Sequence, residues 1–353
     1  MDGAESTQTA LDQLTQRIDR DIMGALTVGL IYLGDRLGLF DALRAGGPAT
    51  AAELAARTGL VERYVREWLT GMATQKYLAY EPAGNRFGLT PGQAAIFADP
   101  QSRSYRAPVA IPVLKNLEQA DRLATAFREG GGVPFAAYGE LFIEAMDRIN
   151  GPQFRAHLLR WLAGLPGAVE SLTGGGSYLD VGCGGGIPCV EVARAFPRAT
   201  ALGLDLHAPS IERARAAARA AGLADRVSFE TRAIEELPAG KHFDVVTTFD
   251  VVHDLADPVS VLRGIRRALA PGGVYLMVES KVDDSLEEQI ASQVNYGWSV
   301  FHCLPQSLAE GGAGLGNPLR PAMARELATA AGFSSFTVLP IDDEGRAFYD
   351  MRA

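Results

Sequence analysis

The chain has 353 residues, which is length for about two domains and a full buried core. Its 33 Lys plus Arg against 42 Asp plus Glu leave a net charge of −9, which argues against a general binder of nucleic acid or of anionic membranes. Three cysteines, Cys183, Cys189 and Cys303, form neither a paired framework nor a zinc spacing, so a reducing, cytoplasmic setting is expected.

The first residues, Met1-Asp2-Gly3-Ala4-Glu5, lack the basic and apolar regions of a secretion signal. The apolar stretch from Ile22 to Gly34 is too short to span a bilayer and stops at Asp35, so a buried helix and no membrane partner are expected. Thr50-Ala51-Ala52-Glu53 reads as a capping box. A helix from there to about Arg57, a turn at Gly59 and a second helix over Val61 to Met72 follow. Tyr77 to Tyr80 and Arg86 to Thr90 then alternate like strands around Pro82-Ala83-Gly84-Asn85. The order resembles a winged helix-turn-helix, a module that often binds DNA. Charge speaks against DNA here: between Ala49 and Thr90, Arg57, Arg63, Arg66, Lys76 and Arg86 face Glu53, Glu62, Glu67 and Glu81, and the would-be recognition helix mixes both signs.

Residues 101–170 read as mostly helical and as a connecting segment. The run Gly130-Gly131-Gly132 within them has no following Lys-Ser/Thr, so a hinge or lid is expected rather than a phosphate cradle.

The stretch Tyr178-Leu179-Asp180-Val181-Gly182-Cys183-Gly184-Gly185-Gly186-Ile187-Pro188 reads as a buried strand, a glycine turn and a helix start with Pro in its first turn. Such a helix N-terminus faces an anionic group. A dinucleotide fingerprint needs glycine where Ile187 stands, which disfavours a nicotinamide oxidoreductase. A second strand ends in Asp205, about 20 residues beyond the last glycine, where a carboxylate can accept both ribose hydroxyls. The strand Val227 to Glu230 leads to Thr231-Arg232-Ala233. Phe243 to Phe249 is a near-continuous apolar strand stopping at Asp250. A helix carrying Arg263, Arg266 and Arg267 precedes Ala270-Pro271-Gly272-Gly273 and a strand ending in Glu279. Ala331-Gly332-Phe333 then leads into strands over Phe336 to Ile341 and Ala347 to Met351.

The pattern Asp-x-Gly-x-Gly-x-Gly, followed by these elements in this order, resembles class I S-adenosylmethionine (SAM) dependent methyltransferases. Phe127 to Phe135 and Phe301-His302-Cys303 with Ser307 to Gly316 resemble bacterial winged-helix members acting on small molecules. The resemblance implies an α/β fold with a doubly wound, seven-stranded Rossmann-like sheet behind an N-terminal, mainly α winged-helix domain. It implies a dimerisation and substrate-covering domain over 1–100, a helical linker over 101–170 and a SAM-binding domain over 171–353. SAM is the implied cofactor. Its site is expected at Asp180, Gly182, Gly184, Gly186, Asp205, Leu206, Arg232, Ala233, Asp250 and Val251. Relatives often carry an acid at the adenine loop, whereas this chain has Thr231-Arg232-Ala233, so backbone contacts are expected there.

The sulfonium methyl of SAM is already activated, so alignment and exclusion of water are the main needs, with a base for a hydroxyl acceptor. His253, in Asp250-Val251-Val252-His253-Asp254, matches the base position of related O-methyltransferases, and neutral imidazole suits that task. Oxygen is therefore the favoured acceptor atom. Nitrogen or carbon acceptors, a phosphorylated substrate with magnesium and a DNA-binding regulator are the alternatives. Glu170, Tyr296, Trp298, Phe301 and His302 are expected on the acceptor side, and Glu279 close by. No resident metal is expected, because Asp257 has a ready role as N-cap before Pro258 and Asp250 is assigned to SAM. The expected partners are a small secondary-metabolite type acceptor and a second copy of the chain.

Overall fold

A computed structural model describes the backbone of residues 2–353 and the side chains of residues 8–353. The chain divides into two compact units, Met1–Lys115 and Asn116–Ala353. The stretch expected as a linker over 101–170 is therefore not a separate piece. Burial is the reason, since Leu158, Trp161 and Leu162 lie in the same core as Tyr178 and Val245 of the sheet.

In the first unit the capping box forms as expected. Thr50 Oγ1 accepts the Glu53 N–H at 3.3 Å and Glu53 Oε2 accepts the Thr50 N–H at 2.9 Å, which starts helix Ala51–Thr58. Helix Glu62–Thr74 follows, and β1 (Ala79–Glu81) pairs antiparallel with β2 (Arg86–Gly88) as the wing. Leu54, Leu69 and Met72 meet Phe40 and Phe87 in one core, where Phe40 stacks on Phe97 with ring centroids 4.8 Å apart. The first helix, Asp2–Arg36, departs from expectation. Leu30 and Ile31 pack on the core, but Leu11, Leu14, Ile18, Ile22, Met23 and Leu26 are half exposed or more. Their spacing of three and four residues puts most of them on one face that no described residue of this unit covers. No single described helix is long and apolar enough to cross a membrane.

The second unit is built on a seven-stranded sheet. Its strands are β3 (Ser177–Val181), β4 (Thr200–Asp205), β5 (Val227–Thr231), β6 (Phe243–Phe249), β7 (Leu269–Ser280), β8 (Ser335–Val338) and β9 (Arg346–Arg352). They lie in the order β5-β4-β3-β6-β7-β9-β8. The first five pair in parallel, and β9 runs antiparallel between β7 and β8. Strand β8 stops short of the expected Ile341, consistent with Pro340, which has no N–H for a ladder. Alternate residues serve opposite faces: Tyr178 and Val245 enter one core, Leu179 and Val246 the other. Two covered faces explain the unbroken apolar runs in the sequence.

Helix Glu140–Ala163 packs beside helix Ile187–Ala195, with Gly151 against Ile187. Within the run Gly130 to Gly132, Gly130 and Gly131 take positive φ with nothing within 4 Å of an added Cβ, whereas Gly132 is a close-packing point. Val133 N–H donates to the Pro305 carbonyl at 2.9 Å, and a Cβ on Gly132 would overlap that same oxygen. Gly132→Ala should cost about 2 kcal/mol by overpacking. Gly92→Ala, with nothing within 4 Å of the added carbon, should be neutral or slightly stabilising, and denaturant melts of the two variants compare them directly.

Candidate active site

Strand β3 has β4 on one side and β6 on the other, so the sheet's direction of winding changes there. The carboxyl ends of these three strands border the crevice in which such sheets bind ligands. The glycine turn leaves β3 at that edge. Gly182 and Cys183 both donate to the Leu204 carbonyl, at 2.8 and 3.0 Å, which ties the turn to the end of β4. Gly182, Gly184 and Gly186 all have positive φ, at 73°, 50° and 74°, a region that side chains with a Cβ avoid. Space is also denied: a Cβ on Gly186 would run into the Phe229 ring, and one on Gly182 would stand 2.6 Å from Val251.

Asp205 closes the turn from the β4 side. One carboxylate oxygen accepts the Gly184 N–H at 2.9 Å and the other the His207 N–H at 2.8 Å. It does not cap the following helix, whose N-cap is His207. Leu206 is 73% exposed. Arg232 donates its backbone N–H to the Asp205 carbonyl at 3.1 Å and pairs through its side chain with Glu230 at 2.9 Å, leaving Ala233 at the start of the next turn. A contact invisible in the spacing completes this side. Asp147, on helix Glu140–Ala163, accepts the Gly185 N–H at 3.0 Å and two bonds from Arg213 at 3.1 Å each. Burial raises the Asp147 carboxyl above the ordinary aspartate range, against the pull of the Gly185 amide and Arg213.

On the β6 side, Asp250 adopts φ 54° and Arg346, the first residue of β9, donates to its Oδ2 at 2.6 Å. Asp250 Oδ1 is buried and meets no hydrogen-bond donor among the described residues. Val251 fills the space left by Gly182. His253 is buried, its Nδ1 2.5 Å from Glu279 Oε2, while Glu279 Oε1 accepts the Val252 N–H at 2.9 Å. Burial alone would push the imidazole pKa down. The carboxylates of Asp254 and Glu279 outweigh it, and His253 holds its proton well above the ordinary histidine range. Asp180 lies beneath the turn, almost fully buried, where Thr247 Oγ1 donates to it at 2.7 Å and meets Tyr178 OH at 2.6 Å. Its carboxyl is pushed up to about 7 by burial, against the Thr247 bond.

Of the residues expected on the acceptor side, Phe301 and His302 come together in the π-helical turn Ser299–Cys303 that follows Trp298, a distortion common at functional sites. His302 is buried among Phe135, Tyr138 and Phe142, with ring centroids 6.0, 4.6 and 4.5 Å away, and Tyr138 OH donates to the Phe301 carbonyl at 2.7 Å. Tyr296 is largely exposed and bonds Gln289 at 2.5 Å. Glu170 is a correction. It is exposed on helix Ala168–Gly174, which leads into the start of β3, so it stands at the opposite edge of the sheet from the glycine turn.

Residues 172–320 match the family model described as a methyltransferase domain, and residues 12–98 match one described as an Rv2258c-like winged HTH domain. This is the class I SAM-dependent methyltransferase fold, preceded along the chain by a winged-helix domain. The chain aligns with the mitochondrial ubiquinone biosynthesis O-methyltransferase of Candida albicans at 37% identity over 102 residues, 28% of this chain and 31% of that protein. The chain spans 31% to 49% of the length of such curated relatives. Among solved structures, the mitomycin 7-O-methyltransferase MmcR superposes with a TM-score of 0.71 at 22% identity, covering 99% of both chains. The N,N-8-amino-8-demethyl-D-riboflavin dimethyltransferase RosA of Streptomyces davawensis does so at 0.63 and 22%, covering 96% of this chain and 99% of that one. SAM is the cofactor of this fold, and the residues fit it: a turn open to close approach, a carboxylate ending β4 and an unpartnered buried acceptor at Asp250 Oδ1.

Folded Asp180 keeps its proton to about pH 7, whereas an unfolded aspartate releases it near 4. Between those values the folded chain holds the extra proton, so this group makes stability fall as pH rises. Asp180→Asn should therefore flatten the loss of stability between pH 5 and pH 8, read from denaturant midpoints at both values.

Proposed function

We propose that the chain transfers the methyl group of SAM to a small-molecule acceptor of secondary-metabolite type, with oxygen favoured as the acceptor atom. The observation that carries this reading is the buried His253–Glu279 pair beside the glycine turn, at the carboxyl edge of β6. SAM supplies a methyl group already activated by positive sulfur. The chain has to hold the donor, align the acceptor, keep water out and take a proton. Asp205 suits the ribose hydroxyls, Leu206 and the Arg232-Ala233 backbone the adenine, and Asp250 with Val251 the methionine end. The turn amides at Gly182, Gly184 and Gly186 and the buried Asp180 shape the floor beneath them.

His253 would accept the acceptor's proton at Nε2 while Nδ1–H donates to Glu279, which fixes the ring and stabilises the imidazolium. An imidazole pKa above the usual range makes the neutral ring a stronger base toward a phenolic hydroxyl but leaves it in the minority near neutral pH, so turnover should rise as pH rises. Trp298, Phe301, Tyr296 and His302 supply an aromatic surround for that acceptor. Relatives of this fold are named for oxygen and for amino-group methylation, so the base rather than the fold favours oxygen.

We read the apolar stripe of helix Asp2–Arg36 as the contact of a homodimer, because an exposed apolar face of this extent marks an association surface. DNA is not a partner in this reading. Arg63 and Arg66 are engaged by Glu67 and Glu62 at 2.5 and 2.6 Å on their own helix. A reducing, cytoplasmic setting fits three free, buried cysteines.

SAM and its demethylated product should raise the melting temperature and NAD should not; stabilisation by NAD alone would sink the reading. His253→Ala should lower turnover about 100-fold with SAM affinity unchanged in calorimetry, and unchanged turnover removes the base. Ile18→Asp with Ile22→Asp should convert a dimer to a monomer in sedimentation, a result that an unchanged mass would contradict.

A further inference from the structure

The environment of His253 contains a group that methyl transfer does not use. Cys303, the last residue of the π-helical turn, comes from fifty positions downstream, so no sequence spacing announced it. A ring nitrogen of His253, a carboxylate oxygen of Asp254 and the Sγ of Cys303 all lie within 4.8 Å of one another. Asp254 Oδ1 is 3.3 Å from His253 Nε2, buried and without a hydrogen-bond partner among the described residues. Behind the ring, Nδ1 meets Glu279 Oε2 at 2.5 Å, and Glu279 is fixed in turn by the Val252 N–H at 2.9 Å.

We propose that His253 Nε2, Asp254 and Cys303 Sγ form a binding site for one zinc-like divalent cation, with Glu279 orienting the imidazole from behind. Nitrogen, oxygen and thiolate sulfur are a donor set that zinc accepts, and three protein donors leave a fourth position open. A ligating histidine nearly always donates its other N–H to a carboxylate, the arrangement Glu279 provides. Asp257 and Asp250 take no part. The first caps helix Pro258–Ala268 through Ser260 N–H at 2.9 Å, and the second pairs with Arg346 at 2.6 Å. The cation would therefore be held by a set that could not be assembled from the Asp250 to Asp257 cluster alone.

Binding forms one bond each to Nε2, a carboxylate oxygen and Sγ, and it releases the ring and thiol protons to solvent. Cys303 is buried, and a bound metal supplies the positive charge that a thiolate in this interior requires. The site itself is independent of the methyl-transfer reading. Its consequence rests on that reading, since a cation on Nε2 occupies the lone pair assigned to the base and makes the metal-bound form inactive.

Cobalt(II) titrated into the full-length, chelator-treated protein separates the two. Binding should give a thiolate-to-cobalt charge-transfer band in the near ultraviolet and intense visible bands of tetrahedral cobalt, both removed by added zinc. Cys303→Ser should abolish the charge-transfer band, Cys189→Ser should keep it, and Glu279→Gln should weaken affinity about 10- to 100-fold. Circular dichroism of the metal-free variants distinguishes lost ligation from lost folding, and Asp254→Asn, with its near-identical shape, gives a second ligand test by weakening binding. No bands in the wild-type protein, or bands unchanged by Cys303→Ser, overturn the site. Bands with methyl transfer unaffected by zinc leave the site standing and overturn the role of His253 as base.

Discussion

The parallel pairing of β3 with β4 on one side and β6 on the other governs where chemistry can occur in this protein. Because the chain winds away from β3 in both directions, the loops leaving these strands diverge, and a crevice opens at their carboxyl ends. Every group brought together there depends on that register. The Leu204 carbonyl can bind Gly182 and Cys183 only because β4 ends level with β3. Asp250 follows Phe249 at the end of β6, with its N–H on the Val278 carbonyl of β7. Glu279 reaches Val252 and His253 because β7 runs beside β6 and ends one strand further along the same edge.

Several carboxylates around this crevice are withdrawn from water and held by protein partners. Asp180 receives Thr247, Glu279 receives both the Val252 amide and His253, and Asp147 receives Gly185 and Arg213. An unpaired buried carboxylate costs several kcal/mol, so these bonds are conditions for the site to exist. They also fix direction. The His253 ring can turn only as Glu279 permits, and the glycine turn is held open between Asp205 on one flank and Asp147 on the other.

Much of the fold was legible in the sequence because its signals are local. The capping box at Thr50 and Glu53, the glycine turn, the apolar β6 and the Pro-Gly-Gly entry to the main part of β7 each depend on neighbours within a few residues. Two expectations failed for the opposite reason. Ile22 to Leu26 looked like core, since apolar residues on a helix do not say whether their cover comes from the same unit. The close approach of Gly132 to the Pro305 backbone, far along the chain, left no local signal either. Glu170 looked near the glycine motif by number, yet the length of β3 places it at the other edge of the sheet.

The candidate site divides along the same line. The sequence by itself determined the turn, the strand-end acids Asp205 and Asp250, and the position of His253, because backbone preference and the two-residue rhythm of a strand are written locally. Only the tertiary structure decided what surrounds them: Asp147 and Arg213 against the turn, Arg346 on Asp250, and Cys303 beside His253. Those contacts join residues from 38 to 96 positions apart. Their partners are selected by strand order, helix packing and a π-helical turn, and such packing leaves no fixed spacing in the chain.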